Sequence, residues 1–133
     1  MKINVSVITT HQNKILLMQR SLTDDYCPGA WGVPGGYMEK EDNTLEDTAI
    51  REVYEELGVK ITPRTILFNN KNEDTDSLYI VYVAELANAA DYPKGITLSD
   101  EANDFKWAEA EDLDKLEFTP YTKDRLVKIF ESF

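Results

Sequence analysis

The chain is poor in the residues that build most metal and nucleophile sites: among 133 residues there is one cysteine, Cys27, and one histidine, His11. A single thiol excludes an intrachain disulfide and a cysteine-rich zinc site. Cys27, placed before Pro28 in a turn, reads as a small packing residue rather than a nucleophile. His11 lies in the polar His11-Gln12-Asn13-Lys14 connection between two apolar stretches and reads as an exposed hairpin residue, not as an acid–base catalyst. Basic residues are also scarce, with 14 Lys and Arg against 25 Asp and Glu and a formal net charge of −11. That balance excludes the basic footprint of a nucleic-acid-binding protein and offers no polybasic patch to a membrane. There is no long apolar run, no signal-peptide pattern and no internal repeat, and Met1-Lys2-Ile3 leads straight into an alternating strand pattern. A cytoplasmic protein is the default expectation. The length suits one domain, residues 1–133, with a single core.

What the chain does have is acid in an unfavourable place. In Arg51-Glu52-Val53-Tyr54-Glu55-Glu56-Leu57-Gly58-Val59, a turn of about 100° per residue puts Glu52, Glu55 and Glu56 on one helix face. Like charges at these spacings each cost roughly 0.2–0.5 kcal/mol. Gly58 marks the helix end, so Glu55 and Glu56 also meet the negative pole of the helix dipole. A divalent cation reverses the sign of that argument, because carboxylate oxygens are the ligands that hard ions such as Mg²⁺ prefer. Residues 39–56 hold eight acids against Lys40 and Arg51, a net −6. Such a surface repels a phosphorylated ligand until a cation enters.

The remaining pattern mixes strands and helices. Ile3 to Thr9 and Lys14 to Gln19 read as a hairpin. A helix from Asn43 or Thr44 to Leu57 buries Leu45, Ala49, Val53 and Leu57, with Asn43 as N-cap and Glu46 as its capping-box partner. Val59 to Phe68, Leu78 to Leu86 and Glu101 to Trp107 read as further strands, and Leu113 to Leu116 as a short helical turn. Thr119-Pro120 offers an N-cap with proline at the first position of a closing helix, whose apolar face is Leu126, Ile129, Phe130 and Phe133. This order suits an α+β sandwich.

Ahead of the acidic helix stands Trp31-Gly32-Val33-Pro34-Gly35-Gly36-Tyr37-Met38-Glu39, whose paired glycines permit positive φ and close approach of a ligand to backbone. Together, glycines and helix resemble the signature of the Nudix hydrolases: Gly, five residues, Glu, seven residues, then Arg-Glu-apolar-x-Glu-Glu-x-Gly-apolar. Arg51, Glu52, Val53, Glu55, Glu56, Gly58 and Val59 fill every fixed position of the second half. The first half departs from it. Five residues after Gly36 stands Asp42 instead of Glu, eight residues rather than seven separate it from Arg51, and counting back from Arg51 reaches Asn43. The family's partner for the signature Arg therefore has no assigned residue here.

The resemblance implies a Nudix α/β/α sandwich, a mixed sheet between helices, over nearly the whole chain. It implies metal-dependent cleavage of a diphosphate linkage by water, with Mg²⁺ or Mn²⁺ held by Glu52, Glu55, Glu56 and the Gly35 carbonyl. Glu52 would be the general base, and Arg51 would orient the acids. Glu101, shortly before Trp107, is a further catalytic candidate because some members place another acid there. Gly36 and Arg20 are candidate substrate contacts, although Arg20 could instead pair with Asp24 or Asp25. Tyr26, Trp31, Tyr37, Tyr79 and Tyr82 are candidates for a base-stacking wall, or for core. The implied partner is a small-molecule nucleotide, with no nucleic acid and no membrane; monomer and homodimer stay open. A nucleoside triphosphate, oxidised or not, is the first expectation, giving monophosphate and pyrophosphate. ADP-ribose or another nucleoside diphosphate derivative is the alternative, and a non-catalytic nucleotide-binding module is a third reading.

Overall fold

Two residues with positive φ, Gln12 (49°) and Asn13 (61°), close the first hairpin, the geometry that matches the twist of antiparallel strands. They join β1 (Lys2–His11) to β2 (Lys14–Arg20) in a computed structural model that describes residues 1–133. The two strands pair only at Thr10–Ile15 and His11–Lys14 and then part. Beyond the fork β1 pairs antiparallel with β4 (Gly35–Tyr37), whereas β2 pairs with β3 (Trp31–Gly32) and with β7 (Ala102–Ala108). On its other edge β1 runs parallel to β6 (Ser77–Leu86), which pairs antiparallel with β5 (Ile61–Asn72). The result is a mixed sheet whose main order is β3-β2-β1-β6-β5.

Strand periodicity sends alternate side chains to two separate cores. Val5, Val7, Leu16, Met18, Ile80, Tyr82 and Ala84 meet Ala49, Val53 and Leu57 of α1 (Leu45–Leu57). On the opposite face Ile8, Ile15, Leu17 and Val81 meet Leu126 and Ile129 of α2 (Thr122–Ser132). One helix on each face makes the expected α/β/α sandwich.

Local chemistry moves several boundaries. Thr44, not Asn43, caps α1: its hydroxyl accepts from the Asp47 N–H at 3.0 Å, and the Asp47 carboxylate accepts from the Thr44 N–H at 3.2 Å. Glu46 is instead engaged by the Tyr82 hydroxyl at 2.9 Å. The closing helix starts at Thr122 rather than after Thr119, because Thr119 stays extended and donates its N–H to the Trp31 carbonyl, while Tyr121 takes φ 67°. The predicted turn at Leu113 to Leu116 lies earlier, as a 3₁₀ turn over Ala110–Asp114. His11 is half-buried rather than exposed, its ring centroid 4.6 Å from that of Tyr92 and 6.1 Å from that of Trp107.

Candidate active site

Where β1 and β2 part, β4 fills the fork and lies beneath α1. Neither Gly35 nor Gly36 has positive φ; the positive-φ glycines are Gly29 and Gly58. Close approach is what requires them. A Cβ on Gly36 would lie 2.4–2.6 Å from the Glu52 carboxylate, and one on Gly35 would lie 2.6 Å from the Val5 carbonyl of β1. The Gly35 N–H donates to Glu56 Oε2 at 2.9 Å. Two acids of α1 are thus pressed onto a strand with no side chains to keep them away.

Burial sets their charge. Glu52 and Glu56 are 9 % and 6 % exposed, values that few carboxylates reach. Loss of solvent pushes the Glu56 carboxyl up to about 8, helped by the neighbouring charge of Glu52 and opposed by the Gly35 N–H. Glu52 is raised by the same loss of solvent, with the Arg51 guanidinium beside it pulling the other way. Glu55 remains exposed on the outer side of the helix.

Arg51 is the counterweight. Its Nη1 lies 2.9 Å from Glu52 Oε1, 3.2 Å from Glu55 Oε2 and 3.7 Å from Glu39 Oε1. Asp42 anchors it from behind: Nη2 donates to Asp42 Oδ2 at 2.8 Å and Nε to Oδ1 at 3.0 Å, while the Tyr37 carbonyl accepts from Nη2 at 3.0 Å. Asp42 is itself held by the Thr48 hydroxyl and the Glu39 N–H, each at 3.0 Å. The guanidinium beside it keeps its carboxyl well below the usual carboxylate range. The displaced acid of the first half-motif therefore reaches the arginine, and Asn43 does not.

Glu101 arrives on the chain that crosses the C-terminal end of α1. Thr97 and Ser99 donate their N–H groups to the carbonyls of Leu57 and Glu56 at 2.9 and 3.1 Å, satisfying orphan acceptors of the helix end. Two residues later Glu101, exposed, has its carbonyl bonded by the Ser21 N–H at 3.2 Å. Its negative charge is among those that raise Glu52 and Glu56, so it belongs to the same electrostatic cluster.

The donors are hard oxygens, and two of the carboxylates are buried with their proton affinity raised by loss of solvent and by each other's charge, a donor set that fits Mg²⁺ or Mn²⁺. As the side chains lie, no three His, Cys, Asp or Glu residues converge on one point. On the helix side Arg51 Nη1 donates to both Glu52 Oε1 and Glu55 Oε2 and supplies positive charge between them.

From Glu56 and Gly35 a cavity of about 290 Å³ extends between the parted strands and α2, lined among others by Asn4, Ser6, Tyr26, Thr122 and Arg125. Arg20 stands on its wall, but its guanidinium pairs with Asp24 at 2.8 Å and with the Tyr26 carbonyl at 2.9 Å. Of the candidate aromatic wall, Tyr26 alone lines this cavity. Trp31 packs against the α2-side core, Tyr82 is buried in the α1-side core, and Tyr37 and Tyr79 are exposed elsewhere.

The sequence profile of the NUDIX domain matches residues 1–128. The chain belongs to the Nudix family. Among curated relatives, nucleoside triphosphatase NudI of Klebsiella pneumoniae is 24 % identical over 129 residues, covering 90 % of this chain and 89 % of that one. The 8-oxo-dGTP diphosphatase of Proteus vulgaris is 31 % identical over 96 residues, covering 70 % and 84 %. Among solved structures, a NUDIX hydrolase from Nitrosomonas europaea superposes with a TM-score of 0.80 at 23 % identity, over 98 % of this chain and 70 % of that one. As a Nudix hydrolase the chain is an enzyme acting on acid anhydrides, in a family that generally uses divalent metal ions. No helix in it is long and apolar enough to cross a membrane.

Residues that the sequence left unmarked are Asp42 as the arginine anchor and Asn4, Ser6 and Arg125 in the cavity. Asn4 and Ser6 alternate with Val5 and Val7, so on sequence they read as the solvent side of β1. Their signal was the change at Ile8, where that same side turns apolar.

Proposed function

We propose that this Nudix chain, acting as one domain of residues 1–133, hydrolyses a nucleoside triphosphate to monophosphate and pyrophosphate in the cytoplasm. The buried Glu52–Glu56 pair packed on Gly35 and Gly36, with Glu56 and Gly35 at the cavity wall, is the observation that carries the reading. Two of the relatives bear names of enzymes acting on triphosphates. A cavity of about 290 Å³ lies just below the roughly 300–1,000 Å³ usual for small-ligand sites, which favours one nucleoside over a dinucleotide.

Glu52, Glu55, Glu56 and the Gly35 carbonyl would hold Mg²⁺ or Mn²⁺. Bound there, the ion supplies charge neutralisation at the phosphate oxygens. Glu52 acts as general base. Its raised proton affinity, from loss of solvent, favours proton acceptance, and the Arg51 contact on Oε1 leaves Oε2 to take the proton. Water oxygen then bonds to phosphorus as the bridging P–O bond breaks, and the leaving group departs as pyrophosphate. Arg51, fixed by Asp42, sets the direction of the acids. Glu101 tunes the same field from the opposite side and is assigned to catalysis with them. Arg20 and Gly36 border the substrate.

The test is a screen of nucleoside triphosphates, ADP-ribose and other dinucleotides with Mg²⁺ and with Mn²⁺, scored by product mass. Monophosphate and pyrophosphate from triphosphates are expected. Turnover of ADP-ribose alone would replace this substrate class, and binding without turnover would mark a non-catalytic module.

A further inference from the structure

Four arginines stand in this acidic chain, and three are paired: Arg20 with Asp24, Arg51 with Asp42, Arg64 with Glu85. Arg125 has no carboxylate within ion-pair distance and no side-chain hydrogen bond, although acids outnumber bases by eleven. Its guanidinium lies over the Phe68 ring, 4.8 Å from the centroid, while the residue lines the cavity. A cation–π contact of this kind holds the guanidinium in place without using its N–H donors on an oxygen acceptor. Phe68 sits opposite Val81 in the sheet, and Val81 is itself a cavity residue, so β5 and β6 fix the position from below.

Asn4 and Ser6 on β1 present an amide and a hydroxyl to the same space, neither of them engaged in a side-chain hydrogen bond within the protein, and Tyr26 offers a half-exposed ring at its edge. A cavity that reaches Glu56, one of the proposed phosphate-cleaving acids, and also carries a free guanidinium, an amide and a hydroxyl is suited to a nucleobase. Arginine has donors and no acceptor. Its edge pairs with a base edge made of acceptors, guanine O6 and N7 above all, with the O4 of uracil or thymine as a single acceptor. The amino groups of adenine N6 and cytosine N4 would set donor against donor.

We propose that Arg125 is a specificity-determining residue that selects nucleotides with keto bases, guanine first, over those with amino bases. The proposal rests on the cavity taking the base of a nucleotide whose phosphates lie at Glu52 and Glu56, and it names the substrate class of that same site. Arg125 has no part in bond cleavage.

Turnover of GTP against ATP and of UTP against CTP with Mg²⁺ measures selection at constant sugar and phosphate. Binding of GMP against AMP by titration calorimetry measures it without turnover. In the wild type, kcat/KM should favour GTP over ATP at least about tenfold, the scale of one good arginine–base pairing, with the same order for binding of the monophosphates. Arg125→Gln should remove most of that ratio, by lowering the keto substrates and leaving the amino ones nearly unchanged, with an unaltered melting temperature. Phe68→Leu, which keeps the charge but removes the stacking face, should narrow the ratio in part. Equal loss for all four triphosphates in Arg125→Gln would put the guanidinium on a phosphate and overturn the proposal, as would a wild type without keto preference in either assay. A keto preference in monophosphate binding without any triphosphate turnover would keep the base site while removing the hydrolytic reading.

Discussion

Glu56 holds its proton to about 8 because it is buried beside another acid, and this has a definite consequence for stability. The unfolded chain releases that proton near 4.5, so between about 4.5 and 8 the folded state binds more protons than the unfolded one. Stability from this group is complete below the unfolded value and declines as pH rises toward the folded one. Glu52, raised as well, acts with the same sign. Asp42 acts oppositely: its lowered proton affinity contributes above the ordinary carboxylate range and is lost only in acid. Glu56→Gln should therefore leave the metal-free melting temperature near wild type at pH 5 and raise it progressively toward pH 8. The same change removes a proposed metal ligand, and turnover should fall at least about a hundredfold, roughly 2.7 kcal/mol of barrier. Melting curves across pH, run beside kinetics, separate the two effects. A mutant that loses stability along with activity would make Glu56 structural. Asp42 shows the limit of reading at this scale. Its offset from the signature hid the anchor in the sequence, since a loop with one extra residue can still bring a shorter acid to the same arginine.

β4 and α1 function as a unit, and the two glycines of β4 divide its work. A methyl group on Gly36 meets only the carboxylate end of Glu52, a flexible group, whereas one on Gly35 meets the backbone of β1. Gly36→Ala should keep the fold and cost turnover by turning Glu52 aside; Gly35→Ala should lower the melting temperature as well. Similar stability losses in both would deny Gly36 a role distinct from packing. The chain crossing the helix end supplies the other elemental test. Glu101→Gln should lower turnover at least about tenfold, with Asp100→Asn as control, since one lost metal-linked or proton-accepting carboxylate readily accounts for 1.4 kcal/mol. Equal small effects from both would reduce Glu101 to a contribution to the local field. The larger elements were legible in the sequence, as in α1, where Ala49, Val53 and Leu57 recur at four-residue spacing. Less legible were β3 and β4, because two- and three-residue strands have no periodicity of their own and exist through pairing with β1 and β2. The start of α2 was misplaced for a related reason: a long-range bond from Thr119 to Trp31 overrode a sound local capping signal.

At the scale of the whole molecule, sheet order and the two-sided core follow from apolar alternation, but the cavity does not. It exists because β1 and β2 pair at only two positions before they separate, a tertiary outcome that no window of sequence displays. The same separation gathers Glu56, Arg125 and Asn4, residues far apart in the chain, around one space in a molecule of net charge −11. In such a molecule a divalent cation at the acidic helix should do more than assist chemistry. Ligand that binds only the folded state adds RT ln(1 + [L]/Kd), about 2.7 kcal/mol at a hundredfold excess over Kd, equivalent to roughly 10 °C in a domain of this size. Mg²⁺ at millimolar concentration should accordingly raise the melting temperature, and excess chelator should abolish turnover. The gain should be larger at pH 8 than at pH 6, because the proton on Glu56 competes with the cation below about 8. Na⁺ at matched ionic strength controls for general screening of the surface. Full turnover in chelator would remove the metal from the mechanism. A Mg²⁺ shift no larger than that of Na⁺, and the same at both pH values, would mean that the carboxylates form a cation site only once substrate phosphates complete it.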